Sequence, residues 1–199
     1  MAFNIMNIEE GEKLVRYARK VIENHVSGFN TEDLENFEEK RGVFVTINTY
    51  PERMLRGCIG IPEPIMPLRK AIKEAAVSAC HDPRFPDLRK EETDSIVIEV
   101  TILTPPELIE SKPEEYVKHI KVGRDGLIVE HGYYRGLLLP QVPVEYNWDV
   151  ETFLQHTCMK AGLPADAWKD GRTRLYKFQG EIFAEEEPRG RIIKVEMDG

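Results

Sequence analysis

Apolar residues recur at helical spacing in three stretches of the chain and at alternating positions in several others. From Asn7 to about Val26, the positions Leu14, Ala18, Val21 and Ile22 form one stripe, and Asn7 with Glu10 reads as a capping box, so an amphipathic helix is predicted. Val43-Phe44-Val45-Thr46-Ile47-Asn48 is rich in β-branched residues and reads as a strand, followed by a second from Leu55 to Ile61. Pro62, Pro64 and Pro67 interrupt the chain before Leu68, Ile72, Ala75, Ala76 and Ala79 set out a second helix ending near His81-Asp82-Pro83. Ser95 to Leu103 alternates, with Ile96, Ile98, Val100 and Ile102 on one face, and Pro105-Pro106 stops it. A short helix is predicted over Pro113 to His119. Beyond it, Leu127 to Glu130 pairs with Tyr133 to Leu139 across a turn at His131-Gly132. Asp149 caps a third helix carrying Val150, Phe153, Leu154, Thr157, Cys158 and Ala161, and Gly162 closes it before Pro164. A last strand runs from about Arg174 to Phe183, and Glu185-Glu186-Glu187 beyond it reads as a solvated charge cluster.

These elements do not alternate as repeated βαβ units, and the hairpin favours antiparallel pairing. The fold class expected is α+β, a mainly antiparallel sheet with flanking helices. At 199 residues the chain suits one domain over 1–199, within which the sequence does not separate sub-lobes.

Composition narrows the function classes. The chain is 41% hydrophobic and 31% charged, which suits a packed core. A net charge of −8 works against generic nucleic-acid binding and against anionic membranes, and no apolar run is long enough to cross a bilayer. The first residues lack a basic segment followed by an apolar one, so a cytoplasmic chain is expected. Cys58, Cys80 and Cys158 are odd in number and widely spaced, the usage of reduced thiols rather than a disulfide framework. No H-E-x-x-H or paired-cysteine spacing occurs, so no metal is expected, and no cofactor either: Walker, dinucleotide-binding and serine-elbow motifs are absent.

Candidate chemistry centres on Leu55-Arg56-Gly57-Cys58-Ile59-Gly60, which has two glycines inside a strand. Strand glycines mark a bulge or a close approach of ligand or backbone. Strict alternation places Arg56, Cys58 and Gly60 on one face, with Gly57 on the other. A cation beside a thiol raises its thiolate fraction, as a nucleophile requires. The alternative is a buried cysteine in a packed strand, its glycines accommodating a neighbouring element. His81 could serve as a general base and Arg84 could hold a carboxylate or phosphate, or the segment His81 to Phe85 could simply end a helix. His131 is either a turn residue or, with Tyr133, Tyr134, Arg135, Gln141 and Glu145, part of a polar pocket wall.

The hexapeptide resembles the hallmark of the AMMECR family, named from a chromosomal region linked to Alport syndrome, midface hypoplasia and elliptocytosis. The likeness continues through His81-Asp82-Pro83-Arg84-Phe85-Pro86, through His131-Gly132 with Gly136-Leu137-Leu138-Leu139-Pro140-Gln141-Val142, and through Trp148, Phe153-Leu154, Cys158 and Lys160-Ala161-Gly162-Leu163. It covers almost the whole chain. The resemblance implies a compact α+β fold of two unequal lobes with the hexapeptide near the cleft between them. It also implies a pathway link to Memo-like and radical-SAM proteins, but no reaction and no catalytic residues. Three readings follow. The first is an enzyme of a modification pathway, with Cys58 and His81 catalytic and Arg56, Gly57, Gly60, Arg84, His131 and Gln141 around the substrate. The second is a non-catalytic module that binds a small molecule or a protein. The third is RNA recognition or modification through Tyr133, Tyr134 and Phe85 beside Arg84 and Arg135.

Overall fold

The structure is a computed structural model that describes residues 6–195. In chain order its elements are α1 (Ile8–Val26), β1 (Val43–Thr49), β2 (Leu55–Ile61), α2 (Leu68–Ala79), β3 (Ile96–Leu103), β4 (Glu107–Leu108), α3 (Tyr116–His119), β5 (Gly126–His131), β6 (Tyr134–Leu138), α4 (Gln141–Glu145), α5 (Val150–Lys160), β7 (Arg174–Phe178), β8 (Gly180–Glu185) and β9 (Ile192–Val195). The fold is α+β. The described residues fall into two compact units, residues 6–103 with 181–195 and residues 104–180.

The first unit is a five-stranded sheet in the order β2-β1-β3-β8-β9. Its strand β1 runs antiparallel to both β2 and β3. Helices α1 and α2 pack on one face of this sheet because both carry an apolar stripe, with Leu14, Ala18 and Ile22 on α1 and Leu68, Ile72, Ala75 and Ala76 on α2 all fully buried. Facing them are Val43, Val45, Ile47, Ile98, Val100 and Ile102, the inward set of the alternating strands. The Asn7–Glu10 capping box forms as expected.

The second unit is a four-stranded sheet in the order β4-β7-β5-β6, with β5 antiparallel to both β6 and β7. Helix α5 packs on it through Phe153, Leu154 and Cys158. Asp149 caps α5 by accepting the Thr152 N–H at 2.8 Å. Gly162 follows the helix with φ 77°, the left-handed geometry that a terminal glycine supplies.

Two expectations are corrected. The single strand expected from Arg174 to Phe183 is two strands, β7 in the four-stranded sheet and β8 in the five-stranded one, separated at Gln179. The apolar pattern runs on through the junction because both strands bury residues, Leu175 and Phe178 in one and Phe183 in the other. Glu185 is also no solvated residue. It is 1% exposed and accepts from Arg19 Nε at 3.0 Å and from the Ile98 N–H at 3.0 Å, while Arg19 itself donates to the Ile96 and Thr93 carbonyls. A buried charge persists only with such a full set of partners.

Candidate functional site

Strand β2 lies at the edge of its sheet, where an exposed row of N–H and C=O groups would invite pairing with another chain. At Cys58 that edge is closed by the loop after α2. The Asp82 carboxylate accepts the Cys58 N–H at 2.9 Å, and Arg84 Nη2 donates to the Cys58 carbonyl at 3.3 Å. The same carboxylate takes the Arg84 N–H at 3.0 Å and the Arg84 guanidinium at 2.7 and 3.0 Å. Asp82 is 2% exposed. The Arg84 guanidinium and these N–H donors hold its carboxyl well below the usual carboxylate range, against the opposing effect of burial.

Gly57 makes this clamp possible. A Cβ there would lie 2.3 Å from the Ala79 carbonyl oxygen, so only glycine lets the end of α2 approach β2 closely enough for Asp82 to reach Cys58. Gly60 is filled differently: a Cβ would lie 2.2 Å from the Phe44 ring, which crosses from the paired position on β1. The open space expected beside Cys58 from two strand glycines is therefore occupied by an α2 carbonyl on one face and an aromatic ring on the other.

Arg56 does not share the face of Cys58 as expected. The β1–β2 register pairs Ile47 with Gly57 and Asn48 with Leu55, leaving Arg56 as the extra residue of a bulge. A bulge breaks strict alternation and re-aims side chains. The Arg56 guanidinium is held by Glu92 at 2.8 and 3.1 Å and by the Asp87 carbonyl at 3.3 Å, so it is already paired.

Cys58 instead faces away from α2, in a row across three strands. The register pairs Cys58 with Thr46 and Thr46 with Glu99. Thr46 Oγ1 donates to Cys58 Sγ at 3.2 Å. Burial pushes the Cys58 thiol up, outweighing the Thr46 hydrogen bond and the Arg84 charge. Desolvation penalises the thiolate more than the nearby cation favours it, which favours the packed-cysteine alternative. Cys80 and Cys158 are buried, with thiols pushed up to about 12 and about 11.

Glu99 was not singled out in the sequence. Its carboxyl is half-buried and, among the described residues, takes part in no hydrogen bond. Burial raises it above the ordinary glutamate range, only partly offset by Arg53. The alternation of β3 places Glu99 opposite Ile98 and Val100, but nothing local in the sequence says that Thr46 and Cys58 are its neighbours. Phe44, Thr46, Cys58, Gly60, Glu99 and Thr101 are all partly exposed, so this sheet face is neither packed like a core nor fully open.

His81 does not assist Cys58. Its Nδ1 is 2.8 Å from Asp87 Oδ1, and its Nε2 is 2.7 Å from His25 Nε2. The remaining two candidates lie in the second unit. His131 ends β5, with Nδ1 2.9 Å from Thr173 Oγ1, whose own proton goes to the Ala167 carbonyl at 2.7 Å. Gln141 opens α4 and is exposed. Arg135 bonds Glu130 at 3.0 Å, while Tyr133 and Tyr134 are exposed. No helix among the described residues is long and apolar enough to cross a membrane, and among them no three His, Cys, Asp or Glu side chains group as metal ligands.

Comparison with known proteins extends the likeness read from the motifs. The family model described as AMMECR1 matches residues 15–183. A protein of Methanocaldococcus jannaschii, MJ0810, is 58% identical over 198 residues, covering 97% of this chain and 98% of its own. A Methanococcus aeolicus protein is 52% identical over 194 residues, covering 95% and 98%. The crystal structure of the Pyrococcus horikoshii protein PH0010 superposes with a TM-score of 0.78 at 55% identity, covering 96% of this chain and 98% of that one. None of these names states an activity.

Proposed function

The chain belongs to the AMMECR1 family, and on that premise we propose that it is a binding protein whose ligand lies on the Phe44–Thr46–Cys58–Glu99 face of the first unit. The observation that carries this reading is Glu99, a half-buried carboxyl without a hydrogen-bond donor among the described residues. Burying a polar group without a partner is unfavourable, and a site built to receive a ligand is where such a group is tolerated. A ligand with an amino or amide group would supply the missing donor. Phe44 adds an apolar surface beside Gly60, and the Cys58 thiol and Thr46 hydroxyl add short polar contacts. Cys58 is a neutral contact here, not a nucleophile: its thiol is pushed up and neither His81 nor Arg56 touches it. Within the pathway that the family resemblance implies, beside Memo-like and radical-SAM proteins, the chain would hold a substrate or a partner's group instead of transforming it.

The test is alkylation of Cys58 by N-ethylmaleimide, followed by mass spectrometry in an extract of the source cells and again after exhaustive dialysis. Slower modification in the extract, with the difference abolished by Glu99→Gln, is the result expected. Equal rates before and after dialysis would remove the binding reading. A Cys58 rate that stays high well below the ordinary thiol range of about 8.5 would return Cys58 to the role of nucleophile.

A further inference from the structure

On another part of the first unit, two histidines from different elements meet. His25 lies in the last turn of α1, and His81 directly follows Cys80, the residue that caps the end of α2. Their Nε2 atoms are 2.7 Å apart and their rings cross at 88°, with centroids 5.0 Å apart. We propose that His25 and His81 form a site for a divalent transition-metal ion, with solvent completing the coordination. The site is separate from the Cys58–Glu99 face and does not depend on the function proposed for it.

Three features support a cation at this place. First, Asp87 Oδ1 lies 2.8 Å from His81 Nδ1, so that nitrogen carries the proton and Nε2 presents its lone pair outward. A carboxylate on the far nitrogen of a ligating histidine is the arrangement that fixes tautomer and ring orientation at metal sites. Second, both histidines sit at helix C-termini, where the uncompensated carbonyls of the last turn favour positive charge. Third, the Arg56 guanidinium that bonds the Asp87 carbonyl is already paired by Glu92.

The geometry requires a small adjustment. Two imidazole nitrogens on one tetrahedral zinc, each at about 2.0–2.1 Å, lie about 3.3 Å apart, so the pair must open by about 0.6 Å. His81 is on the surface, with its side chain 47% exposed, and can turn without disturbing the core. In the metal-free pair one Nε2 must donate to the other. Since His81 Nδ1 donates to Asp87, the shared proton belongs to His25, and metal binding moves it to His25 Nδ1 or to solvent. Imidazole donors with open positions suit zinc, copper or nickel rather than calcium or magnesium.

The experiment is a calorimetric titration of the whole chain with Zn2+ alone, together with the imidazole nitrogen–proton NMR spectrum of its five histidines. One equivalent is expected to bind, with the signals of His25 and His81 moving together while those of His119, His131 and His156 stay. His25→Gln or His81→Gln should weaken binding by more than tenfold. Asp87→Asn, which keeps both ligands, should weaken it by about tenfold through loss of the orienting carboxylate. The absence of stoichiometric binding overturns the proposal. So does binding that survives the histidine substitutions, or that moves the signals of other histidines, since the metal would then sit at an adventitious site or on a thiol.

Discussion

Two carboxyl groups flank Cys58 and meet opposite fates. On the strand's outer edge Asp82 is nearly inaccessible yet accepts from the Cys58 and Arg84 N–H groups and from the Arg84 guanidinium, and its carboxyl is held low. Across the sheet from Cys58, Glu99 is half-buried with no hydrogen-bond donor among the described residues, and its carboxyl is pushed up. Burial acts on both in the same direction, and partners alone decide the outcome. The fully satisfied group is architectural: it ties the His81–Phe85 loop to the hexapeptide strand. The other is the group that the proposed ligand would meet. The hexapeptide thus supplies the strand and the clamp, while the carboxyl of the proposed site lies outside it.

The largest expected effect breaks the clamp at its closest approach. Gly57→Ala puts a methyl group 2.3 Å from the Ala79 carbonyl oxygen, and relief requires moving the backbone of α2. Overpacking of this kind is expected to lower unfolding stability by about 3 kcal/mol, measured by urea denaturation. Gly60→Ala meets a Phe44 ring that can rotate aside, so it should be milder. Asp82→Asn comes next. It keeps one acceptor oxygen but loses the charge that Arg84 pairs, and because the Arg84 side chain is 56% exposed the loss is moderated by solvent, at about 2 kcal/mol. Its sign with pH is set by the lowered Asp82 carboxyl. The stabilisation is present above the ordinary aspartate pKa and disappears as pH falls through the depressed one, so wild type and Asp82→Asn should converge in acid.

Elements built from local pattern were legible in the sequence: the capping box at Asn7, the Asp149 cap, the apolar stripes of α1, α2 and α5, and the alternation of β1 and β3. What was not legible depends on pairing across the chain. Arg56 left its expected face because the β1–β2 register slips by one residue beside it, a property of two strands together. Glu185 went unnoticed as a buried residue because its partner Arg19 lies 166 positions away. Gln179 divides what looks like one apolar run between two sheets. Glu99 joins the row of Cys58 only through Thr46, which pairs with both across the sheet. The glycines of the hexapeptide announced close approach correctly, but the approaching atoms belong to the protein itself.

The smallest effect is the one that most sharpens the comparison. Glu99→Gln removes a carboxyl whose folded-state affinity for protons exceeds its unfolded one. Such a group contributes stability that is fully present below the ordinary glutamate pKa and is lost as pH rises through the raised value. Wild type and Glu99→Gln should therefore differ little near pH 4, and the variant should become the more stable of the two as pH rises toward 7. The difference at neutral pH should be about 1 kcal/mol or less, because the group is only half-buried and Arg53 partly offsets its charge. Paired denaturation curves across that range read the slope directly. An unchanged slope would mean that the Glu99 charge is already satisfied in the folded chain. The two carboxyls would then no longer contrast, and the ligand proposed to meet Glu99 would have nothing to supply.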